Sequence, residues 1–345
     1  VNGRGSQLNV ENPFSQYYLS TQETDGIDEY QMPKLSTRFF MESPKQLVSK
    51  SESPDLGIMH SVNPYQGCEH GCIYCYARNS HNYWGFSSGL DFESRIIVKQ
   101  NAPKMLEDYL GGYRGEVIPI LLSGNTDCYQ PAEHKYRLTR QLLEVFYKYR
   151  YPVSIISKNA LMLRDLDVLK KLADEQLLRV FISITTLEES IRRKMEPRTA
   201  SVNKRLNLIE QLSDNGIPVG IMNAPIIPGL TDHETPTILE QTAYRGALTA
   251  GYTVVRLNGT IAKLFEDWLK KTFPGKSEKV LNQIASCHEG SLNDSAWHRR
   301  QKGSGNLSDM ISQMFKTAFG KFYQGRNMPP QVKHKFRRGG NYQLF

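Results

Sequence analysis

Short apolar runs alternate with amphipathic stretches from Leu56 to about residue 260. Runs at 95–99, 117–123, 153–158, 178–185, 219–227 and 253–258 read as strands, and the run at 57–62 leads into a cysteine-bearing loop. The stretches at 102–110, 133–148, 164–174, 188–194, 203–215 and 234–250 have helical spacing, with more helix from Ile261 onward. Continuous apolar strands separated by helices predict an α/β fold with a parallel sheet covered on its outer face. In α/β barrels the reactive residues stand at the C-terminal ends of strands, and that is where chemistry is expected.

The ends of the chain break this rhythm. Residues 1–55 are rich in Ser, Gln, Glu, Asp and Pro and read as an extended arm, partly disordered at its start. Phe39, Phe40 and Met41 are expected to pack onto the core that follows. Residues 261–345 read as a C-terminal helical extension, with helices near 277–286 and 307–322. Its tail carries Lys333, Lys335, Arg337 and Arg338 and is expected to be flexible. The predicted organisation is therefore arm 1–55, core 56–260 and extension 261–345.

Composition narrows the classes. A chain of 345 residues with 39% hydrophobic residues can bury one large core plus a small appendage. No apolar run approaches the ~20 residues of a membrane helix, and Val1 to Tyr18 has no signal-peptide core. Five cysteines in a chain this long do not make a secreted disulfide framework, so a reducing cytoplasm is expected. The net charge of +8 mildly favours acidic partners such as nucleic acid.

Three of the five cysteines lie in one stretch, as Cys68-x3-Cys72-x2-Cys75. Thiolates are the usual ligands of iron–sulfur clusters. Three of them hold three corners of a cubane and leave one iron open to an outside ligand. Gly67 and Gly71 suit a loop wrapped around a bulky object. Zinc held by these thiols with His70 or His81 is the rival reading. Other candidates stand at strand ends. Thr126 and Asp127 come after the run at 117–123, beyond Gly124 and Asn125; an ordinary capped turn would look the same. Lys158 is a lone cation at an apolar strand end, suited to a carboxylate or to the surface. Ser183 and Thr185 alternate with apolar neighbours and share a face. Arg198 suits a carboxylate clamp or a salt bridge to a neighbouring helix. Ala224 and Ile226 are small and apolar, fit for a flat ring or for a plain Pro/Gly strand exit.

The cysteine spacing resembles the radical S-adenosylmethionine (SAM) superfamily, and the local patterns resemble its spore photoproduct lyase-like family. The likeness runs from about Ser61 to Gly229 through Cys68–Tyr76, Asn125-Thr126-Asp127, Lys158, Phe181–Ile184, Met195-Glu196-Pro197-Arg198-Thr199 and Ala224-Pro225-Ile226. It implies a partial (β/α)6 TIM-like barrel and a [4Fe–4S] cluster on Cys68, Cys72 and Cys75. It also implies SAM held near Tyr74, Thr126, Asp127, Lys158, Ser183, Arg198, Ala224 and Ile226. Reductive cleavage of SAM would yield a 5′-deoxyadenosyl radical that takes hydrogen from a substrate, here a damaged or modified DNA base. Flavodoxin or ferredoxin is the implied electron donor. The alternatives are radical modification of a peptide, RNA or small metabolite, and a non-catalytic metal-dependent nucleic-acid-binding protein.

One departure bears on chemistry. The family's hydrogen-donating cysteine falls at Gly124. Tyr74, Tyr76 or a shifted Cys128 are then the candidate relays. The aromatic loop 81–91 can stack unpaired bases or shield the cluster. Arg256 and Asn258 are candidate substrate contacts on position alone.

Overall fold

The protein is described by a computed structural model covering residues 3–14, 36–55 and 57–339. The disorder expected at the start of the arm and the far end of the basic tail fall largely outside these residues.

Strands β1 (Arg38–Met41), β2 (Val48–Ser53), β3 (Gly57–Val62), β4 (Tyr65–Gln66) and β5 (Arg95–Val98) open the chain. Strands β6 (Ile120–Leu122), β7 (Val153–Ser157), β8 (Leu178–Ser183), β9 (Val219–Ile226) and β10 (Ala250–Val254) complete the set. Seven form one sheet in the order β10-β9-β8-β7-β6-β3-β2. Its six strands from β3 to β10 run parallel, and β2 pairs antiparallel with β3 as an edge. This is the expected partial α/β barrel. Strands β1, β5 and β4 form a separate small sheet, so the strand foreseen at 95–99 does not enter the barrel.

Helices α1 (Leu90–Ser94), α2 (Ala102–Gly112), α3 (Glu133–Tyr136), α4 (Leu138–Tyr149), α5 (Leu166–Asp174), α6 (Glu189–Met195), α7 (Val202–Asp214) and α8 (Thr235–Tyr244) lie between the strands. Three more lie beyond β10: α9 (Ile261–Thr272), α10 (Ser277–Ser286) and α11 (Asn306–Phe322). Alternate residues of the parallel strands, including Val153, Ile155, Val180, Ile182, Val219 and Ile221, are fully buried with Leu142, Phe146, Leu169, Leu208 and Ile209 of the covering helices. That is why these strands read as continuous apolar runs.

Two helices differ from expectation for local reasons. The helix expected at 133–148 breaks at Arg137, whose φ is +51°. The buried Glu133 carboxylate then accepts the N–H of Thr139 (3.1 Å) and caps the new helix start. The helix expected at 234–250 stops at Tyr244, because Gly246 turns into the left-handed region at φ +91°. The chain gains room to start β10 at Ala250, three residues before the expected strand.

The described part of the tail is docked rather than free. Gln331 Nε2 donates to the carbonyls of Val153 (2.8 Å) and Leu177 (2.9 Å), at the N-terminal ends of β7 and β8. Arg337 N–H donates to Tyr149 O (2.8 Å), and Arg338 donates to Arg114 O and Gly115 O. The tail lies under the barrel, away from the strand ends that carry the cysteines. No helix among the described residues is long and apolar enough to cross a membrane.

Candidate active site

The loop after β3 brings Cys68, Cys72 and Cys75 to the C-terminal end of the sheet. Gly67 (φ +78°) and Gly71 (φ +67°) make its turns. A side chain at Gly71 would strike the Glu93 carboxylate at 2.5 Å. Arg78 fastens the loop from inside: its guanidinium donates to the carbonyls of Cys72 (2.9 Å), Gly71 (3.1 Å), Ser88 (3.2 Å) and Gly89 (3.0 Å). Glu93 neutralises Arg78 at 2.5 Å, and both are fully buried. The same carboxylate accepts the N–H groups of Gly5 (2.9 Å) and Ser6 (2.8 Å), so residues 3–12 form a strap across the loop. Gln130 braces the other side, donating to Gly67 O (3.0 Å) and accepting from Glu69 N (2.9 Å).

The three thiols are largely buried and interact with one another. Burial pushes all three above the ordinary thiol range. Cys72 is pushed up to about 12 by burial and by Glu196, with Lys158 acting in the opposite direction. A coordinated cation reverses this, because it deprotonates the thiols that bind it. The donor set is all thiol, which suits iron–sulfur chemistry. His70 does not supply a fourth ligand here: Nδ1 lies 3.3 Å from Asp127 Oδ2 and Nε2 lies 3.3 Å from Asn159 Nδ2. His81 is wedged between Phe86 and Phe92.

Glu196 is a centre that sequence reasoning does not single out. Its buried carboxylate accepts from Tyr74 Oη, from Thr185 Oγ1 (2.6 Å) and from Arg205 Nη2 (2.5 Å). Burial favours its neutral form, but Arg205, Lys158 and these hydrogen bonds hold its pKa down at about 2. Arg205 also donates to Ser183 O (3.0 Å) and Thr199 Oγ1 (2.5 Å), tying the end of β8 to the link before α7. The Glu-Pro-x-Thr pattern is the available signal for Glu196. Arg205 has none, since it lies within an ordinary helical stretch.

The other expected residues have mixed placements. Asp127 accepts from Ser157 Oγ (2.8 Å), Lys158 N (2.8 Å) and Tyr129 N (2.9 Å). Burial opposes its charge, but His70 and these donors keep its pKa at about 2. Thr126 Oγ1 donates to Tyr65 O (2.6 Å). These two side chains brace the strand-end loop. Lys158 lies within electrostatic reach of Cys72, Glu196 and Asp127; burial works against its charge, yet these groups raise its pKa overall. Arg198 pairs at 3.1 Å with Glu69 of the cysteine loop, a salt bridge to that loop and not to a neighbouring helix. Ala224 and Ile226 end β9, with a cis Ala224–Pro225 peptide. Tyr76 is half exposed, and its hydroxyl donates to Gly124 O. Cys128 is fully buried in the core, its backbone held by Ser123 and Thr139, so its thiol lies behind the mouth rather than in it.

Residues 62–242 match the model of the radical SAM superfamily. The chain belongs to the radical SAM superfamily. For a member of that superfamily, SAM and an iron–sulfur cluster are the implied cofactors. An uncharacterized protein of Mycobacterium tuberculosis is 32% identical over 221 residues, 64% of this chain. The chain spans 65% of that relative's length. An uncharacterized protein of Methanocaldococcus jannaschii is 30% identical over 242 residues, 70% of this chain and 86% of the relative. Among solved structures, a variant of spore photoproduct lyase with bound AdoMet and dinucleoside spore photoproduct has the same fold. It aligns with a TM-score of 0.61 at 14% identity, over 83% of this radical SAM chain and 80% of the lyase.

Proposed function

We propose that this radical SAM protein carries a [4Fe–4S] cluster on Cys68, Cys72 and Cys75 and acts on a damaged or modified base of DNA. The observation that carries the reading is the set of three thiols within electrostatic reach of one another on one braced loop at the barrel mouth. With cluster and SAM bound, the site supplies a 5′-deoxyadenosyl radical that removes a hydrogen atom from the substrate. The rest falls to the chain. Lys158 is the cation available to SAM's carboxylate, and Ser183 and Ala224 are the groups offered to its nucleoside, while Ile226 packs in the core behind them. Asp127 and Glu196 hold the walls of the site in register. Flavodoxin or ferredoxin is the class of electron donor.

Nucleic acid is the substrate supported by the lyase-like fold, because that neighbour is solved with a dinucleoside photoproduct. Gly124 leaves no thiol at the position of the lyase family's donor. The Tyr76 hydroxyl donates to Gly124 O, and the residue is half exposed. We assign hydrogen-atom return to Tyr76 in preference to the buried Cys128; the phenoxyl radical left on Tyr76 is restored by one electron from the same donor and one proton from solvent.

The test is anaerobic reconstitution with iron and sulfide, then measurement of 5′-deoxyadenosine with and without irradiated DNA. Formation of 5′-deoxyadenosine that rises with DNA is the expected result. A protein that holds zinc, or a cluster with every iron ligated by side chains, defeats the reading. SAM cleavage indifferent to DNA but stimulated by a peptide or RNA moves the substrate to another class.

A further inference from the structure

Arg256 and Asn258 lie just past β10 at the barrel mouth. The residues beside them, Val255 and Leu257, are buried in the apolar layer under α9. Alternation therefore turns Arg256 and Asn258 to the opposite side, where Tyr76 lies within electrostatic reach of Arg256.

Arg256 is half buried and has neither a hydrogen bond nor an ion pair among the described residues. The nearby carboxylates are already taken. Asp55 binds Arg300 and the N–H of His298; Asp294 pairs with Arg299 at 2.6 Å and accepts Ala296 N at 2.7 Å. Arg300 adds a like charge, and it joins burial in depressing the Arg256 pKa. A half-buried guanidinium without a counter-ion is free to take an oxyanion through two parallel hydrogen bonds. Asn258 is complementary: its Oδ1 is buried with no donor, while its backbone carbonyl is held by Asn79 Nδ2 at 2.9 Å. An unpaired donor set and an unpaired acceptor two residues apart fit a ligand that carries both an oxyanion and an N–H edge.

The surface continues in the same direction. Gly259 and Thr260 line a groove of about 260 Å³ with Asn79, Asn82, Tyr83 and Phe14. Asn82 Oδ1 is also buried and unpartnered. Tyr83 is 76% exposed and stacks on Phe14 at 4.8 Å, leaving an aromatic face open. Such faces are platforms for unpaired bases.

We propose that one unpaired nucleic-acid strand lies along this rim, with a phosphate on Arg256, a base edge at Asn258 and the adjoining base on Tyr83. This rests on the proposed nucleic-acid substrate and assigns it a path on the surface.

The test is fluorescence anisotropy of a labelled unpaired oligodeoxynucleotide on the anaerobically reconstituted full chain, without reductant, across a salt series. Arg256→Ala is expected to weaken binding about tenfold and to lower the salt slope by about 0.7, the share of one phosphate on a single strand. Arg256→Lys should keep the slope, and Tyr83→Ala should weaken binding with the slope unchanged. Iron content and circular dichroism identify variants that fail to fold. If the unsubstituted protein binds the oligonucleotide and Arg256→Ala retains both affinity and slope, the path is wrong while the substrate reading stands. If Arg256→Ala weakens SAM binding and leaves oligonucleotide affinity intact, the guanidinium serves the cofactor and the path is again wrong. If the protein cleaves SAM but binds no oligonucleotide, the substrate reading itself fails and takes the path with it.

Discussion

Glu196 concentrates the electrostatics of the site in one side chain. It joins a tyrosine from the cysteine loop, a threonine from the end of β8 and an arginine from α7. Replacing it with glutamine leaves the buried Arg205 without a counter-charge, and Glu196→Gln is expected to cost ~3–5 kcal/mol in a denaturant titration. The pH dependence follows from the low folded pKa. The carboxylate titrates at about 2 in the folded protein against an ordinary 4.5. Its contribution is therefore fully present above pH 4.5 and is lost as pH falls toward 2. The Gln variant should show a flatter stability profile across that window. Cys72→Ala is a test of a different residue: anaerobic reconstitution should leave iron well below that of the unsubstituted protein, and no 5′-deoxyadenosine should form. At this scale the sequence is informative where chemistry is written in spacing, as in Cys68, Cys72 and Cys75. It is silent where a role arises from long-range meeting. Arg78 and Glu93 are 15 residues apart and look like ordinary surface charges until the loop folds around them.

The elements show the same division. Strands with a buried face and helices with a single apolar stripe are legible, because burial dictates their period. Their ends are not always so, since a left-handed residue such as Arg137 or Gly246 is imposed by packing and capping. The strap at residues 3–12 leaves no periodic trace, because backbone groups make much of its attachment. Leu8 O accepts from Leu90 N at 3.2 Å, and Val10 N donates to Ser87 Oγ at 3.0 Å. Its fit is nevertheless tight: a Cβ on Gly5 would come within 1.7 Å of Gly71 O. Gly5→Val is therefore expected to lift the strap from the cysteine loop. Hydrogen exchange at residues 3–12 and around Gly71 should rise at least tenfold, and the reconstituted cluster should bleach faster in air. Unchanged exchange would mean that the strap is not held by this contact.

At the scale of the whole molecule, net charge is the least reliable guide. Excess positive charge points to an acidic partner, and the cationic tail invites the same use. The fold directs that tail to the opposite end of the barrel, where Gln331 joins the lower ends of β7 and β8 and Arg338 meets the carbonyls of Arg114 and Gly115. Combined Lys333→Ala, Lys335→Ala and Arg338→Ala substitutions should alter oligonucleotide affinity less than twofold at moderate salt. A loss comparable to that of Arg256→Ala would relocate the interface beneath the sheet.

The sheet's two outer strands, β10 and β2, share no ladder with each other. Across that gap, the Arg300 side chain reaches Asp55 and Ser53, and the Asp55 carboxylate also accepts the His298 N–H. A seam of side chains can part and reseal by rotamer changes, whereas a ladder would have to be unzipped. On the nucleic-acid reading proposed above, this flank is where a strand would enter at an interior position, with no need to present a free end.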